Sequence, residues 1–305
     1  MFLASPFAKE HDTGPGHPEQ AARFDAALRG LPSPVRQMAP RAATPDELAL
    51  CHTRAYIKIA ERDVESGRHF LSTGDTDISS GSFRAAVHAT GTLLNAVDLV
   101  MGKEASNAFC VVRPPGHHAT PDVGMGFCLF NSVAVAARYA QQEYRLSRVL
   151  IVDWDVHHGN GTQDIFYEDS SVLFFSTHQS PWYPGTGAAS ETGEGLGEGF
   201  TINCPFAAGA GREQILGAFQ NHLVPAVHEF RPELVLISAG FDSRGGDPLG
   251  NFLLTDQDFS DLTALMMEIA DRYSGGRLVS VLEGGYNLTG LTSAVRAHAT
   301  SLEKL

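Results

Sequence analysis

The sequence has no uninterrupted apolar run of the roughly 18 residues that a membrane-spanning helix needs, so no transmembrane segment is expected. Its start, Met1-Phe2-Leu3-Ala4-Ser5-Pro6, lacks a basic stretch followed by an apolar one, so no secretory leader is expected. Cysteine is sparse: Cys51, Cys110, Cys128 and Cys204 lie far apart, with no CxxC spacing. Buried free thiols in a reducing cytoplasm are the expectation, and metal binding through sulfur is not. Basic charge is also short. Lys and Arg total 22 against 35 Asp and Glu, a net charge of −13. That weighs against nucleic acid or an anionic membrane as partner. It serves solubility and the attraction of a basic ligand equally well. No GxxxxGK[ST] occurs, and no GxGxxG opens a helix after a strand, so nucleotide binding is not indicated. The glycine-rich stretch 184–199 reads instead as a surface loop. Internal repeats, low-complexity linkers and composition breaks are absent, so the chain reads as a single domain over 1–305.

What is present is an alternation of short apolar runs with amphipathic stretches. Ala108–Arg113, Arg148–Asp153, Val172–His178, Leu234–Ala239 and Leu278–Glu283 read as strands. Ser82–Met101, Asn131–Glu143, Glu213–Phe230 and Asp256–Tyr273 read as helices, the last opened by the capping-box pattern Thr255-Asp256-Gln257-Asp258. Strands that are apolar throughout, separated by helices, predict an α/β fold. It is an open, mainly parallel sheet with helices on both faces.

The strand candidates end in unusual polar chemistry. Arg148–Val152 runs into Asp153-Trp154-Asp155-Val156-His157-His158-Gly159-Asn160-Gly161. Charged groups at the end of a strand made for burial need partners or a metal. Asp155 and His157, two apart, point the same way on an extended backbone and make half of a metal site. The other strands lead to Pro114-Pro115-Gly116-His117-His118, Ser176-Thr177-His178, Gly240-Phe241-Asp242 and Glu283-Gly284-Gly285-Tyr286. In open parallel sheets ligands bind at the carboxyl ends of strands, so these residues are expected to converge on one pocket. Asp242 alone would read as a turn or helix-capping residue; with Asp155 and His157 it completes a three-ligand set that leaves a position for water and substrate. Two carboxylates and an imidazole suit zinc, and Fe(II), Mn(II) or Co(II) as well. His117 and His118 suit proton transfer, with Asp153 and Asn160 as a charged and a neutral orienting partner. Tyr286 can donate its O–H to a developing oxyanion.

Together these motifs resemble the histone deacetylase family, specifically its class II-like bacterial branch, within the arginase/deacetylase fold. The resemblance begins at Gly16-His17-Pro18-Glu19. It runs through Asp75-Thr76, Arg113–His118, Gly126-Phe127-Cys128, Asp153–Gly161 and Pro184-Gly185-Thr186-Gly187, and ends at Ser238–Asp242 and Glu283–Tyr286. It implies Asp155, His157 and Asp242 as zinc ligands, His118 as the general base that activates water, and His117 as its partner. It also implies Asp153 and Asn160 as the residues orienting that pair and Tyr286 as the carbonyl-polarising residue. Tyrosine rather than histidine at 286 argues for real deacetylase activity. Phe127 matches one wall of an acetyl-lysine tunnel; Tyr183 is the candidate for the other, with Trp182 as the alternative. Gly126 brings its backbone close to the ligand, and Asp75 matches a rim carboxylate that holds substrate backbone N–H groups. Leu249 stands where the eukaryotic polyamine deacetylase branch carries a glutamate, which favours acetylated lysine in peptides or proteins over acetylpolyamines. The resemblance further implies structural K⁺: one site from Asp153, Ser176 and the carbonyls of Asp155, His157 and Thr177, a second from carbonyls near Phe166, Asp169 and Val172. The alternatives are a deacetylase of acetylpolyamines or another small acetylated amine, and, more remotely, a catalytically silent metal-binding protein. A homo-oligomer is compatible with either enzymatic reading. An arginase-like two-metal site is not expected, because Phe241-Asp242-Ser243-Arg244 has no DxD.

Overall fold

A computed structural model of the protein describes residues 1–304. Seven strands form one sheet: β1 (Phe2–Ala4), β2 (Asn107–Val111), β3 (Val149–Asp153), β4 (Val172–Gln179), β5 (Thr201–Phe206), β6 (Leu234–Ala239) and β7 (Leu278–Leu282). Their order is β1-β2-β7-β6-β3-β4-β5, and every adjacent pair is parallel. The helices are α1 (Ala22–Gly30), α2 (Pro45–Leu48), α3 (Arg54–Glu65), α4 (Ser82–Met101), α5 (Ser132–Tyr144), α6 (Asn160–Phe166), α7 (Arg212–Ala218), α8 (Val224–Phe230), α9 (Asp256–Ser274) and α10 (Leu288–Leu302). Among the described residues no helix is long and apolar enough to cross a membrane.

Side chains alternate between the two faces of the sheet with the period of two that a pleated strand dictates. Phe109, Leu150, Val152, Phe175 and Ile237 join one core, under α1 and α7–α10. Cys110, Val149, Ile151, Phe174 and Leu236 join the other, under α2–α6. Burial on both faces explains why β2, β3, β6 and β7 are apolar almost throughout.

The five expected strands all form, with ends shifted by a residue or two. β1 and β5 were not expected. They are the two edges of the sheet, one only three residues long and the other half-buried and interrupted by Pro205. The expected helix Glu213–Phe230 is divided into α7 and α8 by a π-turn at Phe219–Leu223. Pro225 has no N–H to donate back into the preceding turn, and the wider turn accommodates that loss. The capping box at Thr255 and Asp258 forms as its sequence suggests.

Phe175 is fully buried and meets Phe219 edge to face at 4.9 Å. Phe175→Ala is expected to destabilise the protein by about 3–5 kcal/mol, measured by urea unfolding, with the m-value unchanged.

Candidate active site

Asp155 and His157 lie in the turn just beyond the end of β3, and Asp242 follows β6. Their common direction does not come from strand alternation, because the strand stops at Asp153. It comes from a local turn in which the His157 N–H donates to Asp155 Oδ1 at 2.9 Å. One ligand atom from each of Asp155, His157 and Asp242 lies within 4.8 Å of the others, and all three residues are buried. His157 Nδ1 is 2.9 Å from Asp155 Oδ1 and 3.2 Å from Asp242 Oδ2. Its single N–H serves Asp155, and Asp242 Oδ2 is buried without a hydrogen-bond partner. Burial and the neighbouring Asp155 charge push the Asp242 carboxyl up to about 7. Burial opposes the charged form of His157, yet its hydrogen bond to Asp155 and the proximity of Asp242 raise it to about 10.

An orphaned carboxylate oxygen facing a second carboxylate and an imidazole is the donor set of a divalent cation, and the residues fit one. The backbone is shaped around it. Val156 N–H donates to Asp242 Oδ1 at 2.9 Å and Gly284 N–H to Asp155 Oδ2 at 2.8 Å, so that the other two oxygens, Asp242 Oδ2 and Asp155 Oδ1, both face the His157 ring. A Cβ at Gly284 would collide with the carboxylate oxygens of both aspartates, so this approach requires glycine.

Beside this cluster the His117 and His118 rings lie 4.0 Å apart. Their Nδ1 atoms have opposite kinds of partner: Asp153 Oδ2 at 2.8 Å for His117, Asn160 Oδ1 at 2.8 Å for His118. Burial would discharge His117, but the charges of Asp153 and Asp155 outweigh it and hold the ring well above its ordinary value. His118 is held well below it by burial and by the positive neighbours His117 and His157. The two imidazoles, 4.0 Å apart, are therefore biased in opposite directions, His117 toward its charged form and His118 toward its neutral one. Glu283, buried behind this turn, accepts the N–H groups of Gly116 and His117 at 2.6 and 3.2 Å.

Tyr286 closes the opposite side. Its N–H and that of Asn287 donate to Asp247 Oδ2 at 2.7 and 3.0 Å. The Arg23 guanidinium lies 4.7 Å from the Tyr286 ring centroid and donates to the carbonyls of Gly285 and Glu283 at 2.7 and 2.5 Å. Arg23 is fully buried and paired with Glu19 at 2.9 Å, and Glu19 in turn takes a two-pronged contact from Arg113 at 2.5 and 2.6 Å.

Above these groups opens a cavity of about 320 Å³. His118, His157 and Tyr286 form its floor; Gly126, Phe127, Tyr183 and Leu249 line it, and Asp75 and Trp182 stand at its mouth. Tyr183 meets His118 edge to face at 5.1 Å, and Phe127 meets Tyr286 at 5.9 Å. Gly126 and Phe127 are both left-handed, at φ 57° and 69°. A Cβ at Gly126 would strike the His118 ring.

The sequence profile of the histone deacetylase domain matches residues 17–302. The chain belongs to the histone deacetylase family. It is 44% identical to "Histone deacetylase 10, chloroplastic" of rice (Oryza sativa subsp. japonica) over 83% of its own length, and spans 59% of that protein. It is 38% identical to a "Probable deacetylase" of Archaeoglobus fulgidus over 92% of its length, spanning 79% of that protein. The crystal structure of the HD domain of HDA15 superposes with a TM-score of 0.92 at 36% identity, covering 100% of this chain and 91% of that one. The arginase/deacetylase fold follows from that match.

Within this deacetylase domain the expected residues do not all meet in one pocket. Ser176, Thr177 and His178 belong to β4, which runs on to Gln179, and none reaches the cavity. His178 is instead bonded to Ser176 Oγ at 2.9 Å and to the Gly187 carbonyl at 2.9 Å, holding the glycine-rich loop. Asp153 and Ser176 are direct partners in the β3–β4 register. Near the other expected cation site, Asp169 N–H donates to the Phe166 carbonyl at 3.0 Å, and Arg138 pairs with the Asp169 carboxylate at 2.5 Å. Val172 begins β4 alongside. Arg23 and Asp247 were not anticipated. Arg23 stands four residues after Glu19, a spacing that also fits an ordinary exposed ion pair, so nothing local marked it as buried.

Asn160→Asp tests the inequality of the histidines. A carboxylate beside His118 favours its protonated form, so its pKa rises and the neutral imidazole is lost at higher pH. The acidic limb of kcat/KM for an acetyl-lysine peptide is expected to move upward by about one pH unit in a pH–rate profile; a limb that stays in place contradicts His118 as the base.

Proposed function

We propose that residues 1–305 act as one metal-dependent amidohydrolase domain that removes acetyl groups from lysine side chains in peptides or proteins, releasing acetate. The observation that carries this reading is the unequal partnering of the two histidines beside a buried three-ligand cluster, at the floor of a narrow, largely apolar cavity. A divalent ion held by Asp155, His157 and Asp242, zinc in our reading, would polarise the acyl carbonyl and lower the pKa of water toward about 7.

The chain's own groups account for the remaining chemistry. His118, oriented through Nδ1 by Asn160, has Nε2 free to take the proton of the attacking water. The Tyr286 hydroxyl donates to the carbonyl oxygen as negative charge develops on it; one such donor is typically worth about 3 kcal/mol. The imidazole pair then returns a proton to the leaving amine, while Asp153 keeps His117 charged. Phe127 and Tyr183 flank the lysine stem and exclude water. Leu249 offers no partner for a distal ammonium, which supports acetyl-lysine over acetylpolyamines. Structural K⁺ is proposed at Asp153, Ser176 and the carbonyls of Asp155, His157 and Thr177, supported by the adjacency of Asp153 and Ser176 across β3 and β4, and at carbonyls near Phe166, Asp169 and Val172. Four free, buried cysteines support a reducing compartment, the cytoplasm.

Two measurements test the reading. Tyr286→Phe is expected to lower kcat by roughly 10²–10³-fold while elemental analysis finds the bound metal undiminished; unaltered turnover removes the oxyanion role. In a substrate panel, chelation should abolish hydrolysis and zinc restore it. Acetyl-lysine peptides should exceed acetylputrescine in kcat/KM by about tenfold or more, the equivalent of about 1.4 kcal/mol. The reverse order transfers the assignment to small acetylated amines.

A further inference from the structure

The mouth of the cavity carries hydrogen bonds that the chemistry above does not use. The Tyr183 hydroxyl donates to Asp75 Oδ2 at 3.1 Å, and Gly126 N–H donates to Asp75 Oδ1 at 2.8 Å. One residue earlier, the Trp182 indole N–H donates to the Leu249 carbonyl at 2.8 Å. Trp182 and Tyr183 therefore clasp the two sides of the mouth, the segment at Asp75 and the segment at Leu249. Tyr183 also rests edge-on against His118, so the clasp is braced from within the cavity.

The hydroxyl is the informative atom. A phenylalanine at 183 would supply the same ring to the tunnel and leave Asp75 Oδ2 to solvent. An exposed aspartate held by one backbone N–H alone still swings about its side-chain torsions; held at both oxygens it has one orientation. A carboxylate offers about four acceptor positions, so two remain for a ligand, fixed in direction before the ligand arrives. Fixing an acceptor in advance removes the ordering cost from the binding step. Only a ligand with N–H groups at the mouth gains from it. A peptide has them; an acetylated alkylamine has its single amide N–H at the reacting centre.

We propose that Tyr183 is a specificity-determining residue: its hydroxyl locks Asp75 to receive the backbone N–H groups that flank an acetylated lysine, and so favours peptides over N-alkylacetamides that carry no donor at the mouth. This rests on the deacetylase reading of the site.

The test compares an acetyl-lysine peptide with N-butylacetamide, which keeps the lysine stem and lacks the backbone, in the zinc-loaded wild type and in Tyr183→Phe, Asp75→Ala and the double variant. The ratio of kcat/KM, peptide over N-butylacetamide, is expected to fall about fivefold in Tyr183→Phe, the scale of one hydrogen bond to a charged group acting indirectly. The loss should lie in the peptide KM rather than kcat. Asp75→Ala should lower the ratio further, and the double variant no further than Asp75→Ala alone. An unchanged ratio in Tyr183→Phe, or losses that multiply in the double variant, overturns the proposal. Unfolding midpoints of the same four proteins report on the clasp without any substrate: non-additive shifts support the bond, and additive shifts overturn it. Failure of the zinc-loaded wild type to hydrolyse either compound refutes the deacetylase reading instead.

Discussion

Two buried carboxylates and an imidazole at the floor of the cavity set the terms for the rest of this molecule. Charges in such surroundings have to be compensated, and Asp242 Oδ2 is left without a partner. The compensation cannot be local, because Asp155 and Asp242 come from segments 87 residues apart in the chain, 155 against 242. It depends on an all-parallel sheet that ends β3, β6 and β7 at one edge and delivers the Val156 and Gly284 N–H groups to the outer carboxylate oxygens. The two apolar cores hold those strand ends in register, so the chemistry is only as well placed as the packing beneath it.

A second buried ionic cluster supports the opposite side. Glu19 pairs with both Arg23 and Arg113, and Arg23 reaches across to the turn that carries Tyr286. Buried ion pairs are weak contributors to net stability, since desolvation offsets much of their attraction. Their effect here is geometric. The guanidinium binds the carbonyls of Glu283 and Gly285, either side of Gly284, and lies against the phenol ring, while Asp247 takes the N–H groups on the other side of the same turn. The glycines that let this turn pass close to the aspartates would otherwise leave it loose. The ionic contacts return the rigidity that the glycines remove.

Much of this was legible in the sequence, and the reasons differ by element. β3 and β6 announce themselves as short β-branched runs because both of their faces are buried. β1 and β5 do not, because an edge strand is short, half-exposed and tolerant of proline. α10 escaped notice because Thr, Ser and Gly dilute its pattern, although Leu291, Ala294, Val295, His298 and Leu302 keep helical spacing on its buried side. The convergence of Asp155, His157 and Asp242 was legible in their residue types; the strand alternation invoked for Asp155 and His157 was the wrong cause, since a side-chain-capped turn aligns them. Asp247 and Arg23 stayed hidden because a buried charge and an exposed one look alike until the fold brings their partners together.

The left-handed backbone at Phe127 bears on how such a tunnel can change over time. Branched side chains such as valine and isoleucine are strongly disfavoured at positive φ. Replacement of Phe127 by valine or isoleucine is therefore disfavoured at this wall, whatever room the cavity has. Position 183 carries no such restriction, since its backbone is not left-handed. The backbone thus constrains β-branched replacements on one side of the cavity and not on the other.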